Sequence, residues 1–206
     1  MSRAAGLLAL ALITATQPAG AADAAKAWQD CLLAVPYGVA THPDRVMIEL
    51  VRQDYNVLER NRSILKMPLV IGSREFQHGL GTHAVSHIRV YSPEPIASFS
   101  SWIGVDKNER TAGGLGSAVF AVAADGQEIF RSKVFRGGQD AEQIRVATGD
   151  ARTLDLHVDD AGDGPDCDHV DWAEATITTA SGKVIPLHEI EFDCMPAKFA
   201  MYPFSF

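Results

Sequence analysis

The stretch at 158–174 reads VDDAGDGPDCDHVDWAE. Asp159, Asp160, Asp163, Asp166, Asp168 and Asp171 crowd into it with His169, and Trp172 stands near its end. Like charges at that density repel, so the run is costly on an idle surface. The cost falls if the carboxylates surround a hard cation, or accept hydrogen bonds from backbone amides and bound hydroxyls. A solvated acidic loop is the plainer reading. Gly162 and Gly164 supply tight turns, however, and a solvated loop has no use for Trp172. The mixture points to a binding loop.

On both sides of that loop the chain reads as strands. Leu154, Leu156 and Val158 alternate with Asp155 and His157, which places the apolar set on a core and the polar set outside. Downstream, 175–178 is a strand, Ser181-Gly182-Lys183 a turn, and 184–190 the last strand. Upstream, the LVI run at 69–71 breaks at Gly72-Ser73 and returns as REF at 74–76, a hairpin. In 84–91, Ala84, Ser86, Ile88 and Val90 share one face, and Val85, His87, Arg89 and Tyr91 the other. Strands follow at 99–105 and 143–146. Two more, at 119–123 and 128–130, flank Asp125-Gly126, a strong hairpin signal. Short strands, frequent glycine turns and no long helical period describe an all-β sandwich or barrel over 46–190.

A net charge of −8 argues against nucleic-acid binding, which calls for a basic stripe. The N-terminus reads as a signal peptide over 1–21: Arg3, an apolar stretch at 4–15, and the small-residue cleavage pattern Ala19-Gly20-Ala21. The apolar stretch is shorter than the roughly 20 residues that a membrane span needs. The expectation is export to the periplasm or the cell exterior. Residues 22–45 form a leader with a short helix, on which Trp28, Leu32 and Val35 fall at helical spacing. Residues 191–206 form an aromatic tail, packed on the sandwich or open to a protein partner. Export implies oxidising conditions. The cysteines are Cys31, Cys167 and Cys194, an odd set. The expected disulfide joins Cys31 to Cys194 and ties the two ends of the mature chain. Cys167, among carboxylates, is a poor nucleophile.

Familiar catalytic and metal patterns fail. On the EF-hand template Ala161 falls where an acid belongs and Val170 on the bidentate glutamate. His78, His83 and His87 are zinc-ligand types, but their parities and the intervening glycines do not put them on one face. No nucleophile and base pair stands out.

Five blocks, taken together, resemble a known family. They are GLGTHA at 79–84, IGVD at 103–106, VFAV with ADG at 119–126, DAGDG at 160–164 and DHVDWA at 168–173. Their order and spacing are similar to those of the NPCBM domain, which includes carbohydrate-binding module family 51 and is found beside glycoside hydrolases. The resemblance implies a jelly-roll β-sandwich of the galactose-binding-like type. It also implies that loops at one end hold a galactose-type sugar, and that a structural calcium is common. The matching positions are His83, Asp106, Asp163, Asp168, His169, Asp171 and Trp172. Cys167 and the loop at 107–116 depart from the pattern.

A sugar presents a fan of hydroxyls and one apolar face, so its site calls for donors, acceptors and an aromatic surface. The candidates are His83, Trp102, Glu109, Arg110, His169, Asp171 and Trp172. Asp160, Asp163 and Asp168 are the candidate calcium ligands. Trp172 and Trp102 have a competing role as core residues, and Asp168 and Asp171 as turn caps. Three functions are consistent with these residues. The first is a non-catalytic carbohydrate-binding module. The second is an interaction protein that keeps the fold without the sugar site. The third, a glycoside hydrolase, needs two acids facing each other across a cleft.

Overall fold

The computed structural model describes residues 44–190 and the backbone of a strand at Phe192–Cys194. The expected signal peptide, leader helix, aromatic tail and Cys31–Cys194 bridge fall outside the described residues or side chains. Thirteen strands follow in order: β1 (Met47–Gln53), β2 (Glu59–Arg60), β3 (Leu69–Ile71), β4 (Arg74–Phe76), β5 (Gly79–His83), β6 (Ser86–Val105), β7 (Ser117–Ala124), β8 (Gln127–Arg131), β9 (Phe135–Arg136), β10 (Glu142–Asp159), β11 (His169–Thr179), β12 (Val184–Pro186) and β13 (Phe192–Cys194).

The architecture turns on β6 and β10, each far longer than the short strands read from the sequence. The segments expected at 84–91 and 99–105 are one strand of 20 residues, β6. Those at 143–146 and 153–158 are one strand of 18 residues, β10. Both bend partway, and each half joins a different layer. In the first layer Ser86 to Tyr91 pairs with β1 and with Thr153 to Val158, which in turn pairs with β7. In the second, Ile96 to Val105 lies between the first half of β10 and β11, and β5 and β2 follow beyond β11. Pro93 and Pro95 lack the amide that a continuous ladder needs at the β6 bend. Opposite them the β10 register shifts between Ala147 and Thr153.

Alternation decides what lies between the layers. Ile48, Leu50, Ile88, Val90, Phe120, Leu154 and Leu156 come from the first; Leu80, Phe99, Ile103, Val170, Trp172 and Ile177 come from the second. Trp172 joins them, edge-on to Phe120 at 4.9 Å and to Phe99 at 5.9 Å. The apolar faces read from 84–91 and 153–158 are the buried ones. The Asp125-Gly126 hairpin and the hairpin of β3 and β4 form as read. The last expected strand, at 184–190, stops at Pro186 and continues as a single 3-10 turn, Leu187–Glu189.

The β3–β4 hairpin and the chain before it cover the outer face of the second layer. That cover needs glycine beneath it. A Cβ on Gly81 would meet the Arg62 carbonyl oxygen at 2.3 Å, and one on Gly104 would meet the Ile71 side chain at 2.4 Å.

Candidate functional site

Strand parity carries the site residues to one end of the second layer. On β11, Val170 and Trp172 point inward, so His169 and Asp171 point outward. Antiparallel pairing sets His83 directly opposite His169, and Asp171 opposite both Gly81 and Gly104. Backbone bonds fasten the acidic loop to this end: Ala84 N donates to Asp168 O at 3.1 Å, and Asp106 N to His169 O at 2.9 Å. The loop after β6 is wound round Thr111, whose buried hydroxyl donates to Asp106 O at 2.6 Å. Glu109 and Arg110 are left exposed at its tip.

The protonation of both imidazoles follows from their partners. Asn108 Oδ1 accepts from the amides of Arg110 at 2.9 Å and Thr111 at 3.3 Å. Its Nδ2 therefore faces Asp106 Oδ1 at 2.6 Å and His169 Nδ1 at 3.1 Å, and donates to both. His169 Nδ1 accepts, so its proton sits on Nε2. His83 Nδ1 lies 2.5 Å from the Ala84 carbonyl, which only accepts, so there the proton sits on Nδ1 and Nε2 is the acceptor. Burial lowers the pKa of both rings. For His169, burial, His83 and Arg110 bring it to about 4. For His83, burial outweighs the Ala84 carbonyl and Asp166. Two neutral rings thus stand edge to face, with centroids 5.2 Å apart, one Nε2 donating and the other accepting.

Tyr55 completes this end, and sequence reasoning missed it. It is 48% exposed, large enough to leave a ring face open, and its ring lies 5.1 Å from His83. Buried Gln53 holds the loop that carries it: Nε2 donates to Tyr55 O at 3.0 Å, and Oε1 accepts from Thr82 Oγ1 at 2.8 Å. Asn108 and the exposed Asp166 were missed as well. Their signal is weak, because single polar residues in loops show no period.

Three expected sugar contacts stand elsewhere. Trp172 is fully buried between the layers, and its ring packing leaves no face for a ligand. Asp171 is sealed beneath the cover of the second layer. Burial, and then the neighbouring Asp106 carboxylate, push its carboxyl well above the usual range, so it is a neutral acid. Trp102 faces outward from the sheet, but its register partner is Ala173, four residues along β11 from His169, about 13 Å away. Arg74 covers its ring at 4.0 Å and Phe76 packs beside it at 6.0 Å.

The acidic stretch therefore divides. Asp159 ends β10 and accepts from Ala161 N at 3.1 Å, and Asp160 accepts from Gly162 N at 3.0 Å. Asp163 Oδ1 accepts from Ser117 Oγ, and Asp168 Oδ1 from Ser117 N, both at 2.6 Å. These are turn-organising bonds. Asp168 Oδ2 is buried without a hydrogen-bond partner. Burial outweighs the Ser117 bond and raises the Asp168 carboxyl to about 6, with repulsion from Asp163, Asp160 and Asp166 adding to it. Asp160, Asp163 and Asp168 do not bring ligand atoms within 4.8 Å of one another; among the described residues, His87, Asp155 and His157 do. Cys167 is a free thiol. A cavity of about 510 Å³ opens near the β6 bend, between Arg45, Pro93, Glu94, Lys183 and Ile185. Among the described residues its lining contains no imidazole and no aromatic ring.

Residues 44–178 match the NPCBM/NEW2 domain. A protein of Renibacterium salmoninarum, provisionally named as an endo-alpha-N-acetylgalactosaminidase, is 35% identical over 58% of this chain and 8% of its own length. Alpha-1,3-galactosidase B of Akkermansia muciniphila is 33% identical over 65% of this chain and 17% of its own. The chain thus spans under a fifth of either relative. Among solved structures, the CBM51 domain of a Clostridium perfringens GH95 protein in complex with methyl-galactose superposes with a TM-score of 0.54. It is 26% identical, over 62% of this chain and 91% of that one. CBM51-2 with the INT domain of Clostridium perfringens ZmpB gives a TM-score of 0.56 at 25% identity, over 60% of this chain and 28% of that one.

Proposed function

The chain belongs to the NPCBM/NEW2 domain family, and from that premise we propose that it is an exported, non-catalytic carbohydrate-binding module for a galactose-type sugar. One observation carries this reading: the oppositely protonated pair His83 and His169 stands beside exposed Tyr55 at a loop end of the sandwich. A pyranose hydroxyl both donates and accepts, so it bridges an Nε2 donor and an Nε2 acceptor without moving a proton. The Tyr55 ring meets the apolar face of the sugar, while Arg110 and Asp166 reach outlying hydroxyls. The relatives named for galactosidase and N-acetylgalactosaminidase activity, and the neighbour solved with methyl-galactose, favour galactose and N-acetylgalactosamine as first ligands to try. A shallow site with few buried contacts binds weakly, in the micromolar to millimolar range. The close acid pair Asp106 and Asp171 is sealed from substrate, which speaks against hydrolysis by that pair.

Calcium forms part of this proposal. Asp168 Oδ2, buried and lacking a partner, is the ligand we assign to it, with Asp160 and Asp163 near. A divalent cation there would offset the crowding of like charge. The competing reading, an interaction domain without a sugar site, draws on the depth of the two imidazoles, each only 6% exposed.

Calorimetric titration of the chain with methyl-galactoside and N-acetylgalactosamine tests the sugar site. Binding that weakens at least about 10-fold in Tyr55→Ala and His169→Ala supports it. No binding of either sugar, or binding that both variants retain, leaves the interaction domain. Thermal unfolding with EDTA and with added calcium tests the metal: a Tm unmoved by both, in wild type and Asp168→Asn alike, removes calcium from the proposal.

A further inference from the structure

The outer face of the first layer carries a second cluster, which the sugar site does not use. β6 and β10 run side by side there, and His87 and His157 are direct cross-strand partners. Asp155 precedes His157 by two residues and so shares its face. His87 Nε2 lies 2.6 Å from Asp155 Oδ1, and the two imidazole rings are 4.1 Å apart. Each of the three offers one ligand atom within 4.8 Å of the others. Both strands are interior to the layer, β6 between β1 and β10, and β10 between β6 and β7. The three side chains therefore stand on a rigid frame.

An ion pair accounts for part of this. Arg89 Nε donates to Asp155 Oδ1 at 2.6 Å, and His87 donates to the same oxygen. His157 adds nothing to that pair. Its ring packs on that of His87. An imidazole beside a second imidazole and a carboxylate, all within 4.8 Å, is a ligand set.

We propose that His87, Asp155 and His157 bind a divalent ion of the zinc class, stapling β6 to β10 and leaving a fourth position to water. Two imidazole nitrogens with one carboxylate oxygen suit zinc, copper or nickel, whereas calcium and magnesium take all-oxygen shells. In a tetrahedral site with bonds of about 2.0–2.1 Å, ligand atoms stand about 3.3 Å apart. The 2.6 Å contact of His87 with Asp155 opens by less than 1 Å when the ion replaces the shared proton. The surrounding strands leave room for this. β7 places only Ala121 opposite His157 and Ala123 opposite Asp155. On β8, Arg131 is engaged with Glu128 and Asp159; on β1, Arg52 stands opposite His87 and is engaged with Asp54, and Glu49 accepts from Tyr91. Arg89, bonded to Asp155, is the opposing charge in direct contact with the cluster, and Arg131 acts on His157 from β8. Arg89 orients the carboxylate and keeps the affinity below that of a three-histidine site.

The test uses the full chain without a polyhistidine tag. Zinc chloride is titrated calorimetrically, and cobalt chloride is followed by its visible absorption, into wild type, His157→Ala, His87→Gln and His78→Ala. The expected result is one zinc per chain and the absorption of tetrahedral cobalt. Both His157→Ala and His87→Gln should bind at least about 100-fold more weakly, a larger loss than removal of a supporting residue causes. His78→Ala should match wild type, and calcium should not compete. Absence of zinc and cobalt binding by wild type overturns the proposal. So does wild-type affinity in whichever of the two ligand variants folds, as judged by circular dichroism.

Discussion

Asp155 and Asp171 occupy corresponding places on the two layers. Each faces outward from its sheet, and they are 3% and 0% exposed. Their chemistry is opposite. Burial would raise both, but at Asp155 the hydrogen bonds of His87 and Arg89 outweigh it and hold the carboxyl at about 2. At Asp171 the neighbour is another acid, Asp106, and the carboxyl rises well above the usual range. Burial does not decide whether an aspartate is charged; the partner supplied across the strand does.

The largest test of that contrast is Arg89→Ala. It leaves the buried Asp155 charge to His87 alone and should cost about 3 kcal/mol in urea denaturation. A cost below about 1 kcal/mol would mean that solvent, not Arg89, neutralises Asp155. Next comes the cover over Asp171. In Gly81→Ala the new Cβ would sit 2.3 Å from the Arg62 oxygen, so the chain must shift. A loss of about 2 kcal/mol is expected in the same denaturation assay, as for an overpacked core. An unchanged midpoint would show that the cover yields freely.

The pH profile separates the two kinds of acid. The folded value of Asp155 lies below the ordinary 3.8, so its contribution is complete above 3.8 and is lost as pH falls through about 2. Asp168 is shifted the other way, so its contribution is complete below 3.8 and is lost as pH rises through about 6. In the absence of calcium, Asp168 should remove on the order of 1 kcal/mol from stability between pH 4 and 7, allowing for solvent screening, while His169 and His83, whose values are lowered, add stability over the same range. Denaturation along a pH series should find Asp168→Asn gaining stability relative to wild type as pH rises from 4 to 7; a difference that stays constant would mean that Asp168 titrates as an ordinary carboxyl. The smallest effect belongs to Asp171→Asn. Asp171 is already neutral, so the change in midpoint should stay within about 1 kcal/mol, well below that of Arg89→Ala. A loss as large as that of Arg89→Ala would mean that Asp171 is charged.

Much of the fold was legible because half-buried strands announce themselves by period. Ile88 with Val90, and Leu154 with Leu156, were placed inward by alternation alone, and Asp125-Gly126 marked its hairpin. The lengths of β6 and β10 were not legible, since Pro93, Pro95 and the 147–153 irregularity look like turns in a linear reading. At the site, His83 and His169 were legible as polar residues in family-like blocks. The expected contacts Asp171 and Trp172 adjoin His169 in sequence, but a strand alternates, so Trp172 went to the core and Asp171 under the cover. Tyr55, Asn108 and Asp166 lie on separate loops that meet only in three dimensions.

An all-β chain, the apolar faces of its main strands and the blocks that mark its family can be read from residue order alone. Those depend on local alternation and turn chemistry, which a linear reading contains. Which acids are neutral, which imidazole nitrogens carry protons, and the meeting of His87 with Asp155 and His157 emerge only in the folded chain. Those depend on the neighbour across the sheet, 68 residues away for the His87–Asp155 pair, and on what covers the outer face. Protonation answers to the local field and dielectric, and no spacing along the chain encodes either.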